Sequence, residues 1–69
     1  MKVNHTALRV IRQLSGHNQT AVAEMAQIDR ANYAHIEAGR RPGTAEQIVA
    51  IAKALAIPVD AICRDDVAA

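Results

Sequence analysis

The stretch from Thr44 to Leu55 constrains the fold of this chain more than any other part of the sequence. Thr44 and Gln47 have the spacing of a capping box, in which two side chains satisfy free backbone N–H groups at the start of a helix. Behind them, apolar residues recur at intervals of three and four, at Ile48, Ile51, Ala52 and Leu55. This period predicts an amphipathic helix with one buried face.

Three earlier segments carry the same two signals. Asn4, Asn18 and Asp29 are residue types that cap helix N-termini, and each precedes a segment with apolar residues on one side. A tight turn at Gln27 and Ile28 separates the second segment from the third. The predicted inner faces are Ala7, Leu8, Ile11 and Leu14 in the first, Val22, Met25 and Ala26 in the second, and Tyr33 and Ile36 in the third.

The end of the chain predicts one more helix. Val59 and Ile62, after Pro58, are expected to return over the core in a short last helix. Five helices then fill the chain, and we expect an all-α fold in a single domain, residues 1–69, because 69 residues suffice for one core only. Apolar residues make up 51% of the chain but aromatic residues only 1%, so we expect a tight aliphatic core without a cofactor or a large ligand pocket.

The sequence also indicates where the protein works. Cys63 is the single cysteine, which rules out an intrachain disulfide, and the start of the chain does not resemble a signal peptide. The longest apolar stretch, residues 48–57, is interrupted by Lys53 and is too short to span a bilayer. We therefore expect a cytoplasmic protein. Cys63 is expected to be a small buried apolar residue, with a redox switch as the alternative.

Residues 19–38 fit a unit of two short helices joined by a tight turn. Such a unit needs a small residue where its helices cross, and Ala23 supplies it. Apolar side chains clamp the second helix onto the first, namely Val22, Ile28, Tyr33 and Ile36. The second helix of such a unit fits the major groove of DNA, so the predicted function is DNA binding.

Three stretches of the sequence, in order and without gaps, resemble the Cro and phage-repressor family of regulators, also called the Xre-like or Cro/C1 family. They are Gly-His-Asn-Gln-Thr-Ala-Val-Ala at residues 16–23, Ile-Glu-Ala-Gly-Arg-Arg at 36–41 and Ile-Ala-Lys-Ala-Leu at 51–55. The resemblance covers residues 5–63 and implies a lambda-repressor-like helix-turn-helix fold. Gln27 and Ala56 depart from it, because the family often has Gly there, and the order Pro42-Gly43 is also unusual. A residue other than Gly at the turn is expected to cost some stability.

The resemblance implies specific roles for several side chains. Base edges would be contacted by Arg30, Ala31, Asn32 and His35, and phosphates by Asn18, Gln19, Arg40 and Arg41. The chemistry of these side chains agrees with the base contacts, because Arg forms hydrogen bonds with guanine, Asn forms them with adenine, and the Ala methyl group contacts the methyl group of thymine. Gln19 would also steady Arg30. Arg12 and Glu37 are expected to form a partly buried structural ion pair.

The same outward residues also have a simpler interpretation. Polar side chains on a surface helix are usually only solvated, and Arg40 with Arg41 could be a solubilising pair or could interact with the helix dipole. The formal net charge of +1 is weak evidence for a nucleic-acid partner. The resemblance, not the charge, therefore favours DNA.

Catalytic and metal sites are not expected. His35-Ile36-Glu37 resembles the His-x-Glu of zinc deaminases, but those enzymes need further cysteines that this chain lacks. The histidines and Cys63 do not have the clustered spacing of a zinc site, and there is no glycine-rich phosphate loop. We therefore expect neither an enzyme nor a metalloprotein.

One reading helix covers only a few base pairs, so we expect a homodimer on an inverted-repeat operator in double-stranded DNA. The expected dimer surface is Val59, Ile62, Cys63 and Val67, and the expected activity is repression by a phage-type or host regulator. No membrane or small-molecule partner is expected. Two alternatives remain open: an antitoxin that also binds a protein toxin, and a protein-binding adaptor that has lost DNA binding.

Overall fold

Four α-helices and one pair of very short strands form the part of the chain that the structure, a computed structural model, describes, residues 2–64. In chain order the elements are β1 (Lys2–Val3), α1 (His5–Leu14), α2 (Gln19–Ala26), α3 (Arg30–Glu37), α4 (Ala45–Ala54), a 3-10 helix (Val59–Ala61) and β2 (Cys63–Arg64). None of the helices between residues 2 and 64 has the length and apolar character that crossing a membrane requires.

Each α-helix begins directly after the residue whose side chain was predicted to cap it. Asn4 Oδ1 accepts from the Ala7 N–H at 3.2 Å, and Asn18 Oδ1 accepts from the Ala21 N–H at 2.8 Å. Asp29 Oδ2 accepts from two N–H groups of α3. The capping box of α4 is complete, with Thr44 Oγ1 accepting from the Gln47 N–H and Gln47 Oε1 accepting from the Thr44 N–H. The predicted caps are confirmed, and they fix the start of every α-helix.

The core lies where the four helices meet. Its largest completely buried side chains are Tyr33, Leu8, Ile36, Ile48, Ile51, Ile62 and Val22. Two small residues, Ala23 and Ala52, are 1% exposed and let the helices approach closely. The predicted inner faces of α3 and α4, and the small residue at the helix crossing, are confirmed.

Two predicted core residues are instead exposed. Leu14 is 83% exposed and Met25 is 47% exposed, so their assignment to the inner faces of α1 and α2 was wrong. At about 100° per residue, Leu14 lies roughly 120° around the helix from Leu8. On α2 the buried arc runs through Val22, Ala23 and Ala26, and Met25 falls outside it.

The fifth helix is only one 3-10 turn, Val59–Ala61, so the prediction of five helices in an all-α fold was wrong in this detail. After this turn the chain becomes extended and pairs antiparallel with the other end of the described chain, in the register Lys2↔Arg64 and Val3↔Cys63. The Asn4 N–H continues the pairing by donating to the Ile62 carbonyl at 2.7 Å. An extended partner strand leaves no room for a longer helix.

Two residues other than Gly adopt left-handed backbone. Gln27, at the turn between α2 and α3, has a φ of 58°, and Ala56, after α4, has a φ of 56°. At the first of these turns the Ile28 N–H donates to the Ala23 carbonyl at 2.9 Å, which closes the end of α2. The expected strain at Gln27 is therefore present in its backbone conformation, and this turn sets the angle at which α3 leaves α2.

Candidate nucleic-acid interface

The helix α3 presents one buried and one accessible side. Tyr33 and Ile36 are completely buried against the rest of the core. Of the four side chains expected to contact bases, Arg30 and Ala31 are exposed, and Asn32 and His35 are half-buried. The structure therefore places this set on a solvent-accessible side of α3, starting at its first residue.

A buried ion pair ties the far end of α3 to α1. Arg12 Nε donates to Glu37 Oε2 at 2.8 Å, and Arg12 Nη2 donates to Glu37 Oε1 at 2.9 Å. The side chains are 12% and 3% exposed. Arg12 Nη1 also donates to the His17 carbonyl at 2.9 Å, in the segment before α2. This bidentate pair joins α1, the α1–α2 connection and α3 at one point.

The charge state of this pair follows from its surroundings. Burial alone would raise the pKa of the Glu37 carboxyl, but the hydrogen bonds from neighbouring side chains, those of Arg12 first, and the positive charge of Arg12 together outweigh burial and hold that pKa below its ordinary value. The hydrogen bond to Glu37 raises the pKa of Arg12. Both Arg12 and Glu37 are therefore charged at neutral pH. The pKa of the neighbouring Tyr33 hydroxyl is raised by burial first and by Glu37 second, and this hydroxyl is buried without a well-formed hydrogen bond within residues 2–64.

The start of α2 offers backbone donors to a phosphate. Asn18 is exposed, and its Oδ1 is engaged in capping α2. Gln19 Nε2 donates to Glu37 Oε1 at 3.3 Å, so this amide contacts the buried carboxylate rather than the side chain of Arg30, which it was expected to steady. The free N–H groups of the first turn remain suited to an anion.

The two arginines after α3 differ in what they contact. The N–H groups of Arg40 and Arg41 both donate to the His35 carbonyl, at 2.9 and 3.3 Å, so the loop turns back over the end of α3. The Arg41 side chain then reaches Asn32, where its Nη1 donates to Oδ1 at 2.7 Å. Sequence reasoning missed this contact, because no local pattern links residues nine positions apart through a loop.

The structure corrects the expected dimer surface. Ile62 is completely buried in the core, so its assignment to an exposed dimer surface was wrong. The carbonyl of Ile62 bonds to Asn4, which holds the residue inside the fold. Val59 and Cys63 are half-buried and pack against the core, and Val67 lies outside the described residues.

The accessible side of α3 offers hydrogen-bond donors. Arg30, Asn32 and Arg41 bring guanidinium and amide N–H groups to it, the groups that bind base edges and phosphates. Within residues 2–64, no three His, Cys, Asp or Glu side chains are grouped so as to hold a metal ion.

Comparisons with known proteins show which family and which solved structure the chain resembles. The family described as "Helix-turn-helix domain" matches residues 6–62. The chain is similar to a solved structure, the restriction-modification controller protein C.AhdI from Aeromonas hydrophila, with 28% identity and a TM-score of 0.80 over 83% of this chain and 86% of that one. A search of curated proteins finds no match. From the family match and the shared fold, the chain belongs to the helix-turn-helix domain family and is a DNA-binding transcription regulator.

Proposed function

We propose that two copies of this chain bind an inverted-repeat operator in double-stranded DNA and repress transcription from it. The observation that carries the proposal is the accessible set on α3, Arg30, Ala31, Asn32 and His35, on a helix whose other side is locked into the core by Tyr33 and Ile36. A reading helix needs both properties, because base contacts require precise placement.

The proposed phosphate contacts flank this set. The first turn of α2, at Asn18 and Gln19, offers backbone N–H groups, and Arg40 offers an exposed guanidinium beyond the end of α3. Contacts of this kind fix the register of a protein on DNA without reading its sequence.

Dimerisation is proposed from the size of the reading surface. One α3 of eight residues covers only a few base pairs, so useful specificity needs two half-sites about one helical turn apart. Val59 and Cys63 remain candidates for the surface between two copies. Because its target is DNA, we place the protein in the cytoplasm, at the nucleoid.

The similarity to a restriction-modification controller supports a regulatory role over an adaptor role. An antitoxin would bind DNA through the same helix and a protein toxin through another surface. The protein-binding adaptor would leave the accessible side of α3 without DNA. Selection of DNA sequences therefore separates the adaptor from the other two, whereas the antitoxin differs from the repressor by binding a protein toxin as well.

The test is selection of bound sequences from a randomised pool of double-stranded DNA, at two salt concentrations. We expect enrichment of an inverted repeat with half-sites about one turn apart. The variant carrying Arg30→Ala and Asn32→Ala should lose this enrichment while keeping its helical circular-dichroism spectrum. Weak, salt-sensitive binding without enrichment by the unaltered protein would reject the repressor proposal and favour the adaptor.

A further inference from the structure

Arg41 occupies a position that a simple phosphate contact does not require. Its backbone is anchored at the end of α3, through the N–H bond to the His35 carbonyl. From there its side chain runs back along α3 to Asn32, the third residue of that helix. The guanidinium therefore lies beside the part of α3 that is proposed to face the bases, although the residue itself belongs to the following loop.

The contact with Asn32 fixes the orientation of the guanidinium. A hydrogen bond from a charged donor to an amide oxygen at 2.7 Å is short and directional. It uses one of the five N–H donors of Arg41 and leaves four for another partner. Arg40, which is equally basic and also exposed, makes no such side-chain bond within residues 2–64.

The same contact changes what Asn32 offers to a base. Asn pairs with adenine by accepting from the N6 amino group through Oδ1 and donating to N7 through Nδ2. Here Arg41 occupies one of the two acceptor positions of Oδ1. The Asn32 and Arg41 side chains together therefore present mainly N–H donors, and guanine, with O6 and N7, is the base that offers two acceptors on its major-groove edge.

We propose that Arg41 reads a base in the major groove, that Asn32 orients it, and that the base the two residues share is guanine. This inference rests on the proposed function, since it assigns a base pair within the same DNA interface. It moves Arg41 from the phosphate contacts to the specificity-determining residues and changes the base expected opposite Asn32 from adenine to guanine.

The test first compares the unaltered chain with Arg41→Ala, Arg41→Lys and Arg40→Ala in the DNA selection. We expect the unaltered chain to select a G·C pair at one position of each half-site. Arg41→Ala should remove that preference, a change of roughly 5- to 150-fold between G·C and the other pairs, while the remaining positions keep theirs. Arg41→Lys should lose most of the same preference although it keeps the charge, because Lys lacks the planar fork.

Arg40→Ala is the matched control. As a phosphate contact, its loss should weaken binding equally for all sequences and reduce the slope of affinity against salt by about one contact. Asn32→Ala should weaken the same G·C preference as Arg41→Ala. The variant that combines Asn32→Ala with Arg41→Ala should lose little more at that position than either single variant, because the two residues act as one unit.

Three results would overturn the inference. If Arg41→Ala behaves like Arg40→Ala, Arg41 contacts phosphate only. If Arg41→Ala lowers the midpoint of thermal unfolding but leaves the selected sequence unchanged, the bond to Asn32 only holds the loop. If the unaltered chain selects no sequence at all, the proposed function fails together with the inference, whereas the first two results leave that function intact.

Discussion

The two ends of α3 are held in different ways. At its last residue, Glu37 is almost completely enclosed and is bonded by Arg12 and Gln19, side chains from α1 and α2. At its start, Arg30 and Ala31 are exposed, and the side chain of Asn32 accepts its hydrogen bond from Arg41, in the loop that follows α3. The comparison indicates that the residues that hold α3 in place at its end are different from the residues at its start that are proposed to read DNA.

The largest expected effect is at the buried end. Glu37→Ala should lower the free energy of unfolding by about 3–5 kcal/mol, because it leaves the Arg12 guanidinium buried without its partner. Urea unfolding followed by circular dichroism measures this loss. Glu24→Ala, which removes an exposed carboxylate from α2, is the control and should change stability by no more than about 0.5 kcal/mol. Similar losses from both variants would show that the loss does not come from the buried ion pair.

The next effect is at the exposed end and concerns DNA, not stability. Arg30→Ala should reduce affinity for the selected operator by about 1–3 kcal/mol, through the loss of its proposed bidentate base contact. Its free energy of unfolding should stay within about 0.5 kcal/mol of the unaltered protein, because the side chain is exposed. Titration of labelled operator DNA, beside urea unfolding, gives both numbers. A large loss of stability here would show that the start of α3 is also structural.

The pH dependence of stability sharpens the same comparison. The folded-state pKa of Glu37 is lowered from its ordinary value of 4.5, so its contribution to stability is present above pH 4.5 and is lost as the pH falls through the lower, folded-state pKa. Urea unfolding at a series of pH values should therefore show an acid-dependent loss in the unaltered protein that is shallower in Glu37→Gln. Parallel curves for the two proteins would contradict the lowered pKa.

The smallest expected effect is at the turn that joins α2 to α3. Gln27→Gly should stabilise the fold by less than about 1 kcal/mol, because the relief of left-handed strain is partly offset by the greater entropy of an unfolded Gly. Gln27→Ala, which keeps a β-carbon at the same φ, is the control and should bring no gain. Thermal unfolding of the unaltered protein, Gln27→Gly and Gln27→Ala measures these differences in stability. A loss of stability in the Gly variant would show that the Gln27 side chain supports the turn.

The sequence was enough to predict where each α-helix begins. Asn4, Asn18, Asp29 and Thr44 each bond to a backbone N–H within three residues, so the identity of the residue and its position were enough to predict the start of each helix. The buried side of each helix was harder to predict for apolar residues that lie at its edge. Met25 is apolar and close to the inner arc of α2, and only the positions of the other helices decide that it stays outside.

Contacts between distant residues were harder to predict. The Arg12 and Glu37 pair was expected only through resemblance to a family, since the two residues stand 25 positions apart. The pairing of β1 with β2 involves two residues on each side, too few to leave a pattern of alternation. The bond between Asn32 and Arg41 depends on the path of the loop after Gly39. A Gly at the end of a helix favours the left-handed φ of 83° found there, but it does not predict where the Arg41 side chain goes.

The antiparallel pairing of β1 with β2 has a consequence for engineering. One strand enters the domain where the other leaves it, and Lys2 and Arg64 stand opposite each other. A second protein joined through either strand would therefore start from the same point and extend in the same direction. Adjacent ends also suit a circular permutation, in which a short linker connects residues 64 and 2 and new termini are opened at the exposed turn around Gly16.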